Sequence, residues 1–350
     1  MDSQGQFIAT LIEASGKSLA AGAIARLSEA GHATEVEAWG FQNLVADAQV
    51  RLDSLAEALA AGRSDLLQLE VQWLATTYVA RRVPIDLLKR TLECLQHELA
   101  EGLPKNASAR ACSYVDSALE ELAAPPHEPP SFLIDGQPHV DLARSFLLAV
   151  LEGRRNDAQR LLLDAFEDGM SVPDLHQYVL ARAQAEMGRM WQVGEVDVAE
   201  EHLGSRIVED VLILLRSRMP PVEANGRSVL VAAVRGAHHD IGGRMVADHF
   251  EMAGWRSIFL GADTPTDDVV AAVEHFDIDL VALSAGLGLN IRATAEVVAA
   301  IHSRRADLPV LVGGRPFSVL HDLWKTVGAD GSAPDAAGAV REAQRLVDSQ

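Results

Sequence analysis

The feature that most constrains the fold is an alternation of apolar runs and amphipathic segments after residue 226. The apolar runs predict strands: one ending at Val234, then Trp255–Gly261, Leu280–Gly286, Pro309–Gly313 and a weaker one at Ala329–Ala333. The segments between them have helical spacing: Ile241–Ala253, Pro265–His275, Ile291–Arg304, Val319–Val327 and Ala336–Val347. Near-continuous apolar strands between helices are typical of a parallel sheet covered on both faces. Residues 226–350 are therefore predicted to form an α/β domain with a doubly wound parallel sheet.

The turn after the first predicted strand carries two adjacent histidines, His238 and His239. Open α/β sheets bind ligands at the carboxyl ends of their strands, and neutral imidazole is a good ligand for a transition metal. Ser284 and the pair Gly313-Gly314 end later strands, so we expect them at the same edge. The alternative interpretation is that both histidines are merely solvated turn residues.

The sequence around this edge resembles the cobalamin-binding Rossmann-like domain of methionine synthase, corrinoid carrier proteins and B12-dependent photoreceptors. The residues assigned to cofactor binding on this basis are His238, His239, Asp240, Ile241, Gly242, Ser284, Gly286, Gly313 and Gly314. The resemblance implies that His239 replaces the dimethylbenzimidazole of the cofactor as the lower cobalt ligand. It also implies that Ser284 and the small residues line the slot for the displaced nucleotide tail, where glycine permits close approach of the backbone.

The chain departs from this family at Ala237, where the family has a carboxylate two residues before the histidine. Such a partner orients a metal-binding imidazole and increases its basicity. Asp240 and His238 are the candidates to compensate for its absence.

A second informative region spans Met187–Leu215. Apolar residues step at helical spacing toward Trp191, and Asp197-Val-Ala-Glu200 predicts a capping box that begins the next helix. A short connection makes such helices antiparallel neighbours, so Trp191, Glu201 and His202 should gather at one end of the hairpin. Taken one by one, a Trp at a helix end is usually core, and Glu-His near a helix start is usually capping or surface.

The spacing of Trp191 and Glu201-His202 resembles the CarH type of B12-dependent photoreceptor. This resemblance implies that Trp191 packs over the upper face of adenosylcobalamin, against the adenosyl group, and that Glu201 hydrogen-bonds that group. It also implies that His202 becomes the upper cobalt ligand after photolysis. The similarity extends over about residues 139–345.

The organisation before the sheet is predicted to be helical throughout. A proline-rich linker at 125–138 separates a helical domain at 1–124 from four helical segments at 139–220. The four segments correspond to the small bundle that caps cobalamin in the family. With the resemblance, the predicted fold class is therefore multidomain: an all-α N-terminal domain, a four-helix bundle and an α/β Rossmann-like (flavodoxin-like) parallel-sheet domain that binds cobalamin.

The N-terminal helices suggest a sensory or partner-binding module. The overall arrangement is similar to photocobilins, which pair B12 with the linear tetrapyrrole biliverdin. Cys94, His97 and Cys112 are the residues that could contact such a chromophore. The two cysteines are better interpreted as small buried apolar residues, and His97 as a solvated helix residue.

Composition excludes several classes of protein. A net charge of −20, from 50 acidic and 30 basic residues, argues against a broad nucleic-acid surface. The start of the chain lacks the features of a signal peptide and no long uninterrupted apolar span is evident, so a cytoplasmic protein without a membrane partner is expected. Two cysteines indicate neither a disulfide framework nor a zinc site.

The leading functional hypothesis is a non-enzymatic light sensor that uses adenosylcobalamin and changes its homo-oligomeric state or its contacts with a signalling partner. One alternative is a corrinoid protein that carries methyl groups for methyltransferases. Another is a light-independent regulator that responds to B12 or a tetrapyrrole.

Overall fold

The computed structural model describes residues 1–124 and 128–349, which divide into two compact units, Met1–Glu128 and Pro129–Gln350. We call them the N-terminal and C-terminal units. Residues 125–127 of the predicted linker lie outside the described residues. Farther along, the buried carboxylate of Glu186 accepts hydrogen bonds from the Ser131 hydroxyl (3.0 Å) and the Phe132 N–H (2.7 Å). The second half of the predicted linker is thus attached to the C-terminal unit.

The N-terminal unit is built of helices whose ends coincide with glycine and proline. Their bounds are α1 (Ser3–Leu27), α2 (Ala33–Trp39), α3 (Phe41–Ala61), α4 (Ser64–Ala80), α5 (Ile85–Gly102) and α6 (Lys105–Glu121). A π-helical turn with Gly31 at φ 98° joins α1 to α2. Gly5 lets α1 approach α3 closely, because a Cβ there would overlap the carbonyl oxygen of Leu59.

One helical stretch of this unit, Ser3–Trp39, is long and apolar enough to cross a membrane by length and composition alone. The core helix of a compact domain passes the same test, and 44% of the relevant window is buried inside the structure. Because α1 packs against both α3 and α5, its apolar face has partners within the unit.

The C-terminal unit begins with the bundle. Its helices are α7 (Val140–Leu151), α8 (Arg155–Glu167), a third one that runs from α9 (Val172–Asp174) through a π-helical segment (Leu175–Leu180) into α10 (Ala181–Gln192), and α11 (Val198–Arg218). Glycines with positive φ follow α7, α8 and α10, at Gly153, Gly169 and Gly194. The predicted capping box is confirmed, since Asp197 and Glu200 bond reciprocally at the start of α11.

The sheet that follows has five parallel strands in the order β2-β1-β3-β4-β5. Their bounds are β1 (Ser228–Val234), β2 (Arg256–Thr264), β3 (Leu280–Ser284), β4 (Val310–Gly313) and β5 (Gly331–Ser332). Every residue of β1 is buried, as expected for a central strand with helices on both faces. The predicted fold class is confirmed.

Six helices surround this sheet: α12 (Ile241–Met252), α13 (Thr266–Phe276), α14 (Ile291–Arg304), α15 (Arg315–Val319), α16 (Leu323–Val327) and α17 (Ala336–Asp348). Helices α12 and α17 pack together on one face. The prediction of a single helix at Val319–Val327 is wrong, because Leu320 leaves helical geometry at ψ 83°. Pro316, which suits a first helical turn, starts the earlier helix α15 instead.

The bundle and the sheet share a core. Ile241, Met245 and Met252, all on α12, pack against the apolar interior of the bundle. Helix α12 thus buries one face on the sheet and offers part of another to the bundle, which joins the two layers into one compact unit.

Candidate functional site

The loop between β1 and α12 places His239 at the carboxyl edge of the sheet. The strand order reverses between β1 and β3, which is the position where such sheets bind ligands. His239 is exposed, and a Cβ built on Gly286 would lie 3.6 Å from its Cδ2 atom. The loop is held by Asp263, which accepts a hydrogen bond from the Gly236 N–H (2.7 Å) and donates its own N–H to the Ala237 carbonyl (3.0 Å).

The imidazole of His239 has no hydrogen-bond partner among residues 1–124 and 128–349. Ala237 is buried, and neither Asp240 nor His238 bonds to the ring. The compensation expected from these two residues is therefore not formed here. Its consequence is an exposed imidazole whose orientation is limited mainly by the loop backbone and by Gly286.

A cavity of about 250 Å³ lies between α12, the sheet and the first turn of α17. Most of its walls are apolar or small, and four of the predicted residues contribute to them: Gly242, Ser284, Gly313 and Gly314. The third helix of the bundle supplies a further wall through His176, Gln177 and Ala181. The predicted slot residues are thus brought together around one space.

Two glycines have a clear steric role at this cavity. Gly314 has φ 110°, and a Cβ there would overlap the carbonyl oxygen of Ala285, so a side chain is excluded. Gly243 was not predicted; its Cβ would lie 3.3 Å from Phe259 and 3.9 Å from the Cβ of Ser284. A side chain at Gly243 would therefore reduce the space between α12 and the sheet.

The α10–α11 hairpin carries the second set of predicted residues. Trp191 lies in the last turn of α10, half-buried against the bundle core, and Glu201 and His202 lie in the first turns of α11. Gly204 permits close packing of the two helices, since a Cβ there would overlap the end of the Met187 side chain. The three side chains are thus at the same end of an antiparallel pair.

The Glu201 carboxylate is held on one side only. Its Oε1 accepts a hydrogen bond from Ser205 Oγ (2.7 Å), and Ser205 in turn accepts one from Gln184 Nε2 (3.2 Å). Its Oε2 lies 3.8 Å from His202 Nε2, which is a weak contact, and the His202 side chain is 74% exposed. His202 is therefore free to change its orientation at small energetic cost.

Sequence reasoning missed the buried histidine pair, His176 and His249. Their ring centroids are 5.4 Å apart, both rings are buried, and both residues line the cavity. Burial lowers the pKa of His176 to about 3, with a further contribution from His249, and burial likewise lowers the pKa of His249. Both side chains are therefore neutral near pH 7.

A signal for the unusual helix around His176 was present in the sequence. Leu175, Val179, Ala183 and Met187 recur every fourth residue, and all four are buried. A regular helix has 3.6 residues per turn, so a strict spacing of four drifts around it, whereas a wider π-helical segment counteracts the drift. This spacing could have predicted the π-helical segment at Leu175–Leu180, although not the partner of His176.

Comparison with protein families agrees with this geometry. Residues 142–216 match one family model, described as a B12 binding domain, and residues 227–342 match a second with the same description. The C-terminal unit is a B12-binding module. The first match corresponds to the bundle and the second to the sheet domain, so the lining of the cavity is drawn from both.

Two curated relatives illustrate the range of proteins that share this module. The chain is 27% identical over 207 residues to a corrinoid protein of Desulfitobacterium hafniense (strain Y51), covering 57% of this chain and 94% of that one. It is 30% identical over 204 residues to the HTH-type transcriptional repressor CarA of Myxococcus xanthus, again covering 57% of this chain but 65% of the repressor.

A solved structure supports the fold of the same region. The monomethylamine corrinoid protein of Methanosarcina barkeri superimposes with a TM-score of 0.54 and 19% identity, over 59% of this chain and 99% of that protein. The architecture of bundle plus parallel sheet is thus that of a known corrinoid protein.

The N-terminal unit has a buried polar cluster but weak candidates for covalent attachment of a ligand. Arg51 bonds to Asp47 (2.5 Å) and Glu70 (2.9 Å), and burial raises the pKa of the nearby Tyr78 to about 12. Cys94 and Cys112 are half-buried, and burial raises the pKa of both thiols. Because the thiolate is the reactive form, neither cysteine is activated.

The buried His176 gives a testable dependence of stability on pH. As the pH falls below about 6.5, this histidine binds a proton in the unfolded chain but not in the folded one until the pH is near 3, so folding loses stability across that window. His176→Leu should remove this contribution of His176, which is at most about 1.4 kcal/mol of unfolding free energy per pH unit. The measurement is urea unfolding of the ligand-free chain at pH 7 and pH 5.

The matched control is His97→Leu, which removes a half-exposed histidine from the N-terminal unit. Relative to wild type, His176→Leu should gain stability between pH 7 and pH 5, and His97→Leu should not. An identical pH dependence for the two variants would contradict the burial of a neutral His176.

Proposed function

We propose that this protein is a cytoplasmic, non-enzymatic light sensor that binds adenosylcobalamin in its C-terminal unit. The observation that carries the proposal is the end of the α10–α11 hairpin, where Trp191, Glu201 and His202 lie together in the same unit as the cavity. A module that only holds a corrinoid needs the lower site; it does not need these three side chains.

The residues of the lower site fit a corrinoid whose nucleotide tail is displaced. An exposed imidazole lies at the sheet edge, and beside the sheet is a cavity whose walls are mostly small or apolar. We assign the lower cobalt position to His239. Gly242, Ser284 and Gly313 would line the space for the tail together with Gly314.

The upper site would respond through the residues of the hairpin. Bound adenosylcobalamin supplies a cobalt–carbon bond that visible light breaks. Trp191 offers apolar surface for the adenosyl group, and Glu201, fixed by Ser205, has a second oxygen able to accept a hydrogen bond. His202 would hold the upper cobalt position after illumination, and leaving Glu201 costs it only a weak contact. The hairpin therefore has different contacts in dark and light, as a two-state switch requires.

The lower ligand is tested by a pair of neighbouring histidines. His239→Ala should lose the absorption spectrum of histidine-bound hydroxocobalamin and bind it on the order of tenfold or more weakly, because the protein ligand is gone. His238→Ala, which changes another exposed residue of the same loop, should keep the histidine-bound spectrum. Equal spectra for the two variants would refute the assignment of His239.

The upper ligand is tested by light. Wild-type protein reconstituted with adenosylcobalamin should convert under green light to a stable spectrum with two histidine ligands, and its elution volume should change. His202→Ala should bind the cofactor in the dark but fail to reach that spectrum. The control is Arg206→Ala, one turn along α11 and similarly exposed. A light-state spectrum of His202→Ala that equals the wild-type one would reject the role of His202.

We propose biliverdin as a second chromophore, because the overall architecture is similar to that of photocobilins. The matches to B12 binding domains begin at residue 142, and we assign chromophore or partner binding to the helical unit that precedes them. Adding biliverdin should produce a new red-absorbing band that survives gel filtration. Cys94→Ala and Cys112→Ala should leave it unchanged, since neither thiol is activated. If wild-type protein shows no such band after gel filtration, biliverdin is not a chromophore of this protein.

The second candidate is a corrinoid protein that carries methyl groups. It is favoured by the match to a corrinoid protein over 94% of that protein's length. A carrier predicts that bound cobalamin is methylated by a partner methyltransferase and is indifferent to green light beyond the behaviour of the free cofactor. The light experiment above therefore separates the two functions.

A further inference from the structure

One wall of the cavity is polar, because it is formed by the imidazole rings of His176 and His249. His176 comes from the π-helical segment of the bundle and His249 from α12, and the two rings are tilted by 46°. The surrounding walls are mainly alanine, glycine and aliphatic side chains. A pair of imidazoles on one wall would orient a bound group, because only the part of the group that lies against this wall can form hydrogen bonds with them.

The hydrogen bonds of the pair are incomplete. His249 Nδ1 lies 2.8 Å from the Met245 carbonyl oxygen, and since a carbonyl only accepts, the proton is on Nδ1. His176 is 1% exposed, and neither of its ring nitrogens has a partner among the described residues. A buried polar group without a partner costs free energy, so such groups are rare unless a ligand satisfies them.

The local backbone supports the same conclusion. His176 lies in a π-helical segment, a distortion that is found mostly as single turns and often at functional sites. Gln177, its neighbour in this segment, also lines the cavity. The bundle thus departs from regular helix at the point where it meets the cavity.

We infer that His176 donates a hydrogen bond to the free ring nitrogen of a heterocyclic base inserted in the cavity, and thereby selects corrinoids by their lower base. The inference rests on the proposed displacement of the nucleotide tail by His239. A benzimidazole-type base that has left cobalt has one unsubstituted ring nitrogen, which accepts a hydrogen bond. A neutral imidazole has one N–H to donate, which matches that requirement.

The test compares three corrinoids in the dark. Hydroxocobalamin has the base nitrogen, a phenolyl cobamide keeps ribose and phosphate but has no base nitrogen, and cobinamide has no nucleotide tail. Relative to the phenolyl cobamide, hydroxocobalamin should bind wild type about tenfold more tightly than it binds His176→Leu, as expected for one buried hydrogen bond. The cost of removing the base from cobalt is the same for both proteins and cancels in this comparison. His176→Leu should lose this preference while binding cobinamide with unchanged affinity.

Two further variants make the result specific. His176→Gln keeps an N–H donor and should restore part of the preference, whereas His97→Leu should behave as wild type. Thermal unfolding of the ligand-free chain separates binding from support of the fold. Since the nitrogens of His176 have no partner, His176→Leu should be at least as stable as wild type near pH 7.

Three results would contradict a hydrogen bond from His176 to the base. Equal preference in wild type and His176→Leu, or a parallel loss of affinity for all three corrinoids, would overturn the role of His176. Loss of preference for both tail-bearing corrinoids relative to cobinamide would assign the contact to ribose or phosphate and also reject a base contact. None of these measurements uses light, so the failure of light sensing would leave this result intact, and the reverse also holds.

Discussion

The candidate site depends on space that side chains leave open between α12 and the sheet. Protein interiors are normally close-packed, and an unfilled volume loses dispersion contacts. Here Gly243 keeps the space open, whereas Gly314 permits a close approach of the backbone to the Ala285 carbonyl, which any side chain would overlap. The bundle packs against α12 at Ile241 and Met245, and Met245 also lines the cavity. Both layers are therefore needed to build one cavity.

Sequence patterns predicted the sheet well because each buried strand is a continuous apolar run that can be recognised without knowing its neighbours. The alternation of apolar runs and helices predicts five strands, and the structure confirms all five with ends shifted by a few residues. It also predicts the edge occupied by His239, since the carboxyl ends of parallel strands meet there. The broken helix near Leu320 was missed because propensity and spacing do not reveal a single residue with non-helical ψ.

The polar wall could not be predicted in the same way. His176 and His249 are 73 positions apart and come from different layers, and neither has a neighbour in sequence that signals a shared site. The Glu201–Ser205 bond was within reach, because residues four apart face each other on a helix. A local sequence pattern thus predicts which side chains share one face of a helix or strand, whereas contacts between different elements are seen only in the packed structure.

The buried carboxylate of Glu186 has a mechanical consequence. One of its oxygens holds the chain at Ser131 and Phe132, and the other holds Arg189, which also reaches Glu195 in the turn after α10 (2.7 Å). The segment with which the chain enters the C-terminal unit is therefore hydrogen-bonded to the same helix that bears Trp191. A displacement of that helix end would have to break these hydrogen bonds or carry the entering segment with it, so the position of the hairpin is coupled to the segment at Ser131 and Phe132.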